Sequence, residues 1–360
     1  MKQRILLTLT AFVLIGSMVA VGCAAPVPAP TPSPTPSPAP TPTPSPPAEE
    51  VFNWKIQCAF GEADCDWYVN LTGLKRFIEE GSGGRVQVEL FPIGVLCDPD
   101  SIVDSVAMGA IEGGHIIAGM AADRVPSCLG SEMPFGARDR YEHHELHYPW
   151  GLLDIMREEY ATQNLHLLNV FMSGQLAFQS SFPINTADDL KGKKIWSIPN
   201  CTWLTEFGAS TVEVPGMDMY MAMKLGTIDG FTWTVGELEF YNYKEVVKYV
   251  MQPRLLTPTT HILVNLDAWN ALGPDLQMHI QDRIDAHIFE LAKEYETYDA
   301  KSLAAAKAYG VQFVTLPPAE VSKMQAVASG FWDEVASMSP SAAKMIESYQ
   351  AYLKYRGITW

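Results

Sequence analysis

The sequence predicts an α/β protein of two lobes, each a mixed, mostly parallel sheet flanked by helices. Three observations carry this. Strand-like and helix-like stretches alternate between Phe52 and Ile117 in the order β-α-β-α-β, the signature of parallel strands joined by crossover helices. The body that begins near Val51 has about 310 residues, more than a single core commonly serves. The whole chain has 360 residues, 48% of them hydrophobic, which excludes a disordered polymer. A mean hydropathy of +0.01 excludes a polytopic membrane protein.

Two segments precede the body. Lys2 and Arg4 stand before an apolar run from Ile5 to Val21, and small residues follow up to Gly22-Cys23. A charged start, a short apolar core and small residues before a cut site predict an export signal over 1–22. Ala20-Val21-Gly22-Cys23 resembles the bacterial lipobox, which implies lipidation at Cys23; an ordinary signal with an incidental cysteine is the competing reading. Residues 23–50 then form a linker. Of 26 prolines in the chain, 12 lie between Pro26 and Pro47, a composition that cannot pack a core. In polyproline II that run reaches roughly 70 Å, a stalk for a tethered body. A ligand for a proline-binding domain is the alternative. Loss of Lys2 and Arg4 with the signal takes the charge from −16 to −18.

Within the body, 52–60 reads as a strand and 67–80 as a helix, with Trp67, Leu71, Leu74, Phe77 and Ile78 at helical spacing before Gly81. Alternation over 85–91 predicts a strand, 101–110 a helix and 113–117 a short apolar strand. Later strands are expected at 165–171, 194–198, 211–214 and 261–265, and helices at 217–225, 237–250 and 276–309.

Composition narrows the function. With 41 acidic against 25 basic residues, the chain is poorly suited to neutralising nucleic-acid phosphates. Cys58, Cys65, Cys97, Cys128 and Cys201 have no zinc-site spacing, and an odd number leaves at least one thiol unpaired. His143 and His147 at i, i+4 could share a metal, but Glu142-His143-His144-Glu145-Leu146-His147 is not H-E-x-x-H and reads as a surface helix start. Gly81-Ser82-Gly83-Gly84 precedes a strand, so it is a turn and not a dinucleotide loop. There is no nucleophile elbow or phosphate loop. An exported hydrolase is the competing class, yet Glu237 and Glu239 diverge on a helix.

Gly83-Gly84-Arg85-Val86-Gln87-Val88 with Phe91-Pro92-Ile93-Gly94, then Asp188-Asp189-Leu190-Lys191-Gly192-Lys193-Lys194-Ile195, then Leu225-Gly226-Thr227-Ile228-Asp229-Gly230, resemble in content and order the solute-binding proteins of TRAP (tripartite ATP-independent periplasmic) transporters. The matches run from Phe52 to Ala286. The resemblance implies a Venus-flytrap, type II-like periplasmic-binding-protein fold, with lobe I at 51–172 and 259–300 and lobe II at 173–258 and 301–360. It implies capture of a small organic solute by closure, delivery to TRAP membrane permease subunits, and no cofactor, metal or catalytic group. The family grips carboxylates with an arginine just after Asp189-Leu190-Lys191-Gly192; here that residue is Trp196. A second arginine position reads Gly174-Gln175-Leu176. Both anchors are missing, which turns the expected ligand away from a standard dicarboxylate. What is left is Trp196, Trp203, Phe231 and Trp233, with Gln175, Asn200, Thr232 and Glu237 as polar groups: a lining suited to a neutral, aromatic or cationic molecule. Core filling is the competing role for Trp196 and Trp233, and Arg124, Arg138 or Arg140 swinging inward would restore carboxylate binding. A receptor feeding signalling instead of uptake is a third reading. The aromatic tail at 347–360 resembles the C-terminal extension of the dimer-forming branch, which implies a homodimer; packing on its own lobe is the alternative.

Overall fold

Alternating burial sets the first sheet. In β1 (Phe52–Cys58), Trp54, Ile56 and Cys58 point inward, and in β2 (Val86–Phe91) Val86 and Val88 do the same. In the computed structural model the described residues are 50–59, 66–215 and 218–358, with the backbone alone described for 66–70. The signal segment, Cys23, nearly all of the linker and Cys65 therefore lie outside them. β1 runs parallel to β2 and to β3 (Gly113–Ile117), while β10 (Thr259–Asn265) lies antiparallel between β3 and β4 (Leu165–Met172). The order is β2-β1-β3-β10-β4. Gly114 is required by packing: a Cβ there would sit 2.3 Å from Cγ2 of Ile102 on helix α2 (Ile102–Ala107). Helix α1 (Asp66–Gly81) and the long α8 (Pro274–Tyr309) cover the other face. Leu71, Leu74, Phe77 and Ile78 meet Ile280, Ile284 and Leu291 in one apolar cluster.

The second sheet has the order β11-β9-β5-β8-β6-β7, formed by β5 (Leu176–Ser180), β6 (Lys194–Trp196), β7 (Ser210–Thr211), β8 (Gly230–Thr234), β9 (Tyr249–Gln252) and β11 (Gln312–Thr315). β6 pairs in parallel with β7 and β8, and β11 with β9; β5 is antiparallel to both its neighbours. Both sheets are thus mixed, through the strands that carry the chain between them. The largest apolar cluster spans both, from Ile116 and Leu167 through Leu129 and Met133 to Phe178, Ile195 and Leu204. Its outer wall is α9 (Pro318–Met338) and α10 (Pro340–Tyr355), contributing Phe331, Trp332, Met345 and Tyr349.

Most expected elements form within one or two residues of their predicted bounds. The helix expected over 237–250 does not. Only α6 (Glu237–Phe240) is α-helical; Asn242 then adopts φ 55°, a short 3-10 turn follows at Tyr243–Glu245, and the chain enters β9. Val246, Val247 and Val250 mimic helical spacing, but β-branched residues suit a strand, and Val250 is buried in the sheet. The strand expected over 211–214 shrinks to β7. The aromatic tail packs on its own chain: the Tyr349 hydroxyl accepts the Ala137 N–H at 2.6 Å, and Tyr352 and Leu353 are buried.

The histidine pair also departs from expectation. On α3 (Arg140–His147), His143 and His147 are buried with rings stacked 3.9 Å apart, because they build the helix's inner face with Leu146. Among the described residues, no group of three or more His, Cys, Asp or Glu is placed to hold a metal. Burial holds His115, His166 and His261 down to about 3 and His147 to about 4. In the unfolded chain these rings protonate near 6.5, whereas in the fold they stay neutral. Stability is therefore full above pH 6.5 and falls as pH drops from there towards 4, by about 1.4 kcal/mol per pH unit for each ring. Glu132 works in the opposite sense: burial pushes it up to about 8, so its contribution is full below 4.5 and is lost as pH rises to 8. Chemical denaturation at a series of pH values should show a steep loss of stability below pH 6.5. A flat profile between pH 6.5 and 4.5 would contradict neutral buried histidines.

Candidate functional site

Two short segments carry the chain between the sheets. Ser173, Gly174 and Gln175 join β4 to β5, and residues 253–258 return from β9 to β10. They are bonded side by side: Ser173 N–H donates to Pro258 O (2.9 Å), Leu176 N–H to Leu256 O (3.1 Å) and Leu255 N–H to Leu176 O (2.9 Å). This strap fixes which strand ends face each other. Ile117, the last residue of β3, pairs with Thr260 beside the strap, and Thr234, the last of β8, pairs with Leu176 at its exit. Helix α8 passes the same gap, where Asp299 is buried; a Cβ on Gly174 or Gly236 would lie 3.0 or 2.7 Å from its carboxylate oxygen.

Trp196 and Trp233 meet at these ends. Trp196 closes β6, Trp233 is next to last on β8, and the register sets Trp196 beside Phe231. Both indoles are half-buried and meet edge-on, with ring centroids 5.5 Å apart and planes at 64°. Four buried polar atoms on the same segments have no hydrogen-bond partner among the described residues: Trp233 Nε1, Thr234 Oγ1, Ser197 Oγ and Asn200 Oδ1. Such atoms are rare in folded proteins and cost about 1–3 kcal/mol each when unpaired. Ser197 and Thr234 escape a reading of composition; their signal is that each directly follows one of the two tryptophans.

The other expected residues take different places. Thr232 is fully buried and its hydroxyl accepts the Ile198 N–H at 3.0 Å, pinning the 197–200 turn to β8. Asn200 is also buried; its Nδ2 donates to the carbonyls of Leu129 and Glu132, both at 3.1 Å, and ties the second lobe's turn to the first lobe. Trp203 is buried and donates to Asn200 O at 3.0 Å. Phe231 is buried edge-on against Tyr243. Glu237 is buried at the start of α6, and its charge helps burial push the Tyr243 phenol up. Gln175 is half-buried on the strap, its carbonyl accepting Val235 N–H at 2.9 Å. Arg124, Arg138 and Arg140 are each ion-paired, with Asp104, Glu142 and Glu296.

Two lobes joined by a strap, with orphaned polar groups at facing strand ends, describe a binding protein. The family model for bacterial extracellular solute-binding proteins, family 7, matches residues 63–338. The chain belongs to this family. This solute-binding protein is similar to a monocarboxylate 2-oxoacid-binding periplasmic protein of Nostoc, 24% identical over 80% of each chain. It also resembles a sialic acid-binding periplasmic protein of Vibrio cholerae, 22% identical over 68% of this chain and 76% of that one. Its fold matches that of a TRAP periplasmic solute-binding protein from Desulfovibrio salexigens solved with bound orotic acid, with a TM-score of 0.76 and 20% identity over 84% of this chain and 99% of that one. The motif resemblance and the family model agree.

Proposed function

We propose that the protein is the extracytoplasmic solute-binding component of a TRAP-type transporter, closing on a small organic solute and delivering it to the membrane permease. In this reading residues 1–22 are removed on export, Cys23 carries the lipid anchor, and 23–50 form the stalk. Lobe I is 51–172 with 259–300, and lobe II is 173–258 with 301–360. A homodimer is compatible with this arrangement and is tested by light scattering of the purified body.

The observation that carries the ligand assignment is the half-buried Trp196–Trp233 pair, whose Trp233 N–H has no acceptor among the described residues. Two tryptophan edges favour a flat or apolar ligand face, and an indole N–H needs an acceptor on that ligand. The similar proteins named above bind acids; here a tryptophan stands at the arginine position, so charge cannot be met there by a guanidinium fork. Ligands are therefore expected to be neutral, aromatic or cationic. A thermal-shift screen of dicarboxylates, polyols, aromatics and amines should stabilise the body with the latter classes; stabilisation by dicarboxylates alone would contradict the assignment.

A further inference from the structure

A cavity lies against the strap, apart from the tryptophan pair. Its volume is about 640 Å³, in the range of small-molecule sites. Arg138 reaches it from the first lobe, Gln175 and Arg254 from the strap, and Val235, Phe313 and Gln325 from the second lobe. Neither Trp196 nor Trp233 lines it.

Arg254 sets the chemistry. It is half-buried, and its Nη1 donates to the Arg138 carbonyl at 3.0 Å, bracing the strap against the loop before α3. That is its one side-chain bond among the described residues, and it has no ion-pair partner there. Burial pulls its pKa down, against the charges of Asp299, buried beside the strap, and of Asp139 and Glu296, which favour the guanidinium. Asp139 caps α3 through the N–H groups of Tyr141 and Glu142, and Glu296 is paired with Arg140. Arg138, the other cation in the wall, is paired with Glu142. A guanidinium has five N–H donors in a planar fork, and one is used. Four remain at a cavity whose walls are largely aliphatic and aromatic.

We propose that Arg254 anchors a second ligand site, which takes a small monocarboxylate with an apolar body. The carboxylate meets the Arg254 fork, the amides of Gln175 and Gln325 orient it, and Val235 and Phe313 hold the body. Because both lobes and the strap contribute walls, an occupant there also bridges the lobes.

Calorimetry with benzoate, phenylacetate and cyclohexanecarboxylate, and with benzamide as the neutral control, tests the site. Wild type should bind at least one of the acids saturably at millimolar concentration or below, and benzamide far more weakly. Arg254→Gln should weaken acid binding by about tenfold or more, and Arg254→Lys by less, since a lysine keeps charge but not the fork. Should Arg254→Gln disturb folding, Thr315→Tyr on the exposed rim blocks the cavity and leaves the arginine intact. Trp233→Ala should leave acid binding unchanged, which keeps this site distinguishable from the proposed solute site. Acid binding that is lost in Trp233→Ala and kept in Arg254→Gln, or no saturable binding by any of the three acids, overturns the proposal.

Discussion

Trp233→Ala should lower affinity for the transported solute by about 100-fold, close to 3 kcal/mol, beyond the melting-temperature loss that its packing against two apolar clusters entails. The half-buried indole contributes an aromatic face and an N–H that has no acceptor within the described residues, and it also packs against two apolar clusters, so truncation removes core contacts along with ligand contacts. Trp196→Ala should cost a similar amount. Because the rings touch, the double variant should lose less than the sum of the two. Calorimetry with the strongest stabiliser from the thermal-shift screen measures all three. If Trp233 fills core and nothing more, melting temperature falls and affinity stays.

Gly114→Val should destabilise the first lobe by about 3 kcal/mol or more, read as a lower denaturant midpoint at unchanged slope. The Ile102 methyl lies 2.3 Å from where the new Cβ would stand and a Val106 methyl 3.3 Å, and both side chains are packed into the cluster that spans the sheets. Gly114→Ala should cost less, since it adds one carbon instead of three. A neutral Gly114→Val would mean that α2 is free to move off the strand.

These two positions show what the sequence made readable. Strand β3 was expected at its observed bounds although two of its five residues are glycines, because His115, Ile116 and Ile117 make a buried strand; the demand for glycine itself came from a helix packed across it, which no local pattern reveals. The β9 strand was hidden because its Val250 sits at helical spacing with Val246 and Val247 before it, and only the left-handed Asn242 and the neighbouring strands decide the matter. The tryptophan pair was foreseeable, since a missing arginine and a following Trp233 stand in motifs that keep their order. Thr232 and Asn200 read equally well as ligand groups, yet each already holds a backbone partner in the fold. Arg254 carried no motif at all; its place beside a cavity follows from the return strap pairing with Leu176.

The most direct measurement is a crystal structure of the body with the strongest stabiliser from the screen bound. The account predicts a solute within about 4 Å of both the Trp196 and Trp233 rings, accepting a hydrogen bond from Trp233 Nε1. A transported solute held instead by an arginine fork, away from both indoles, would contradict it.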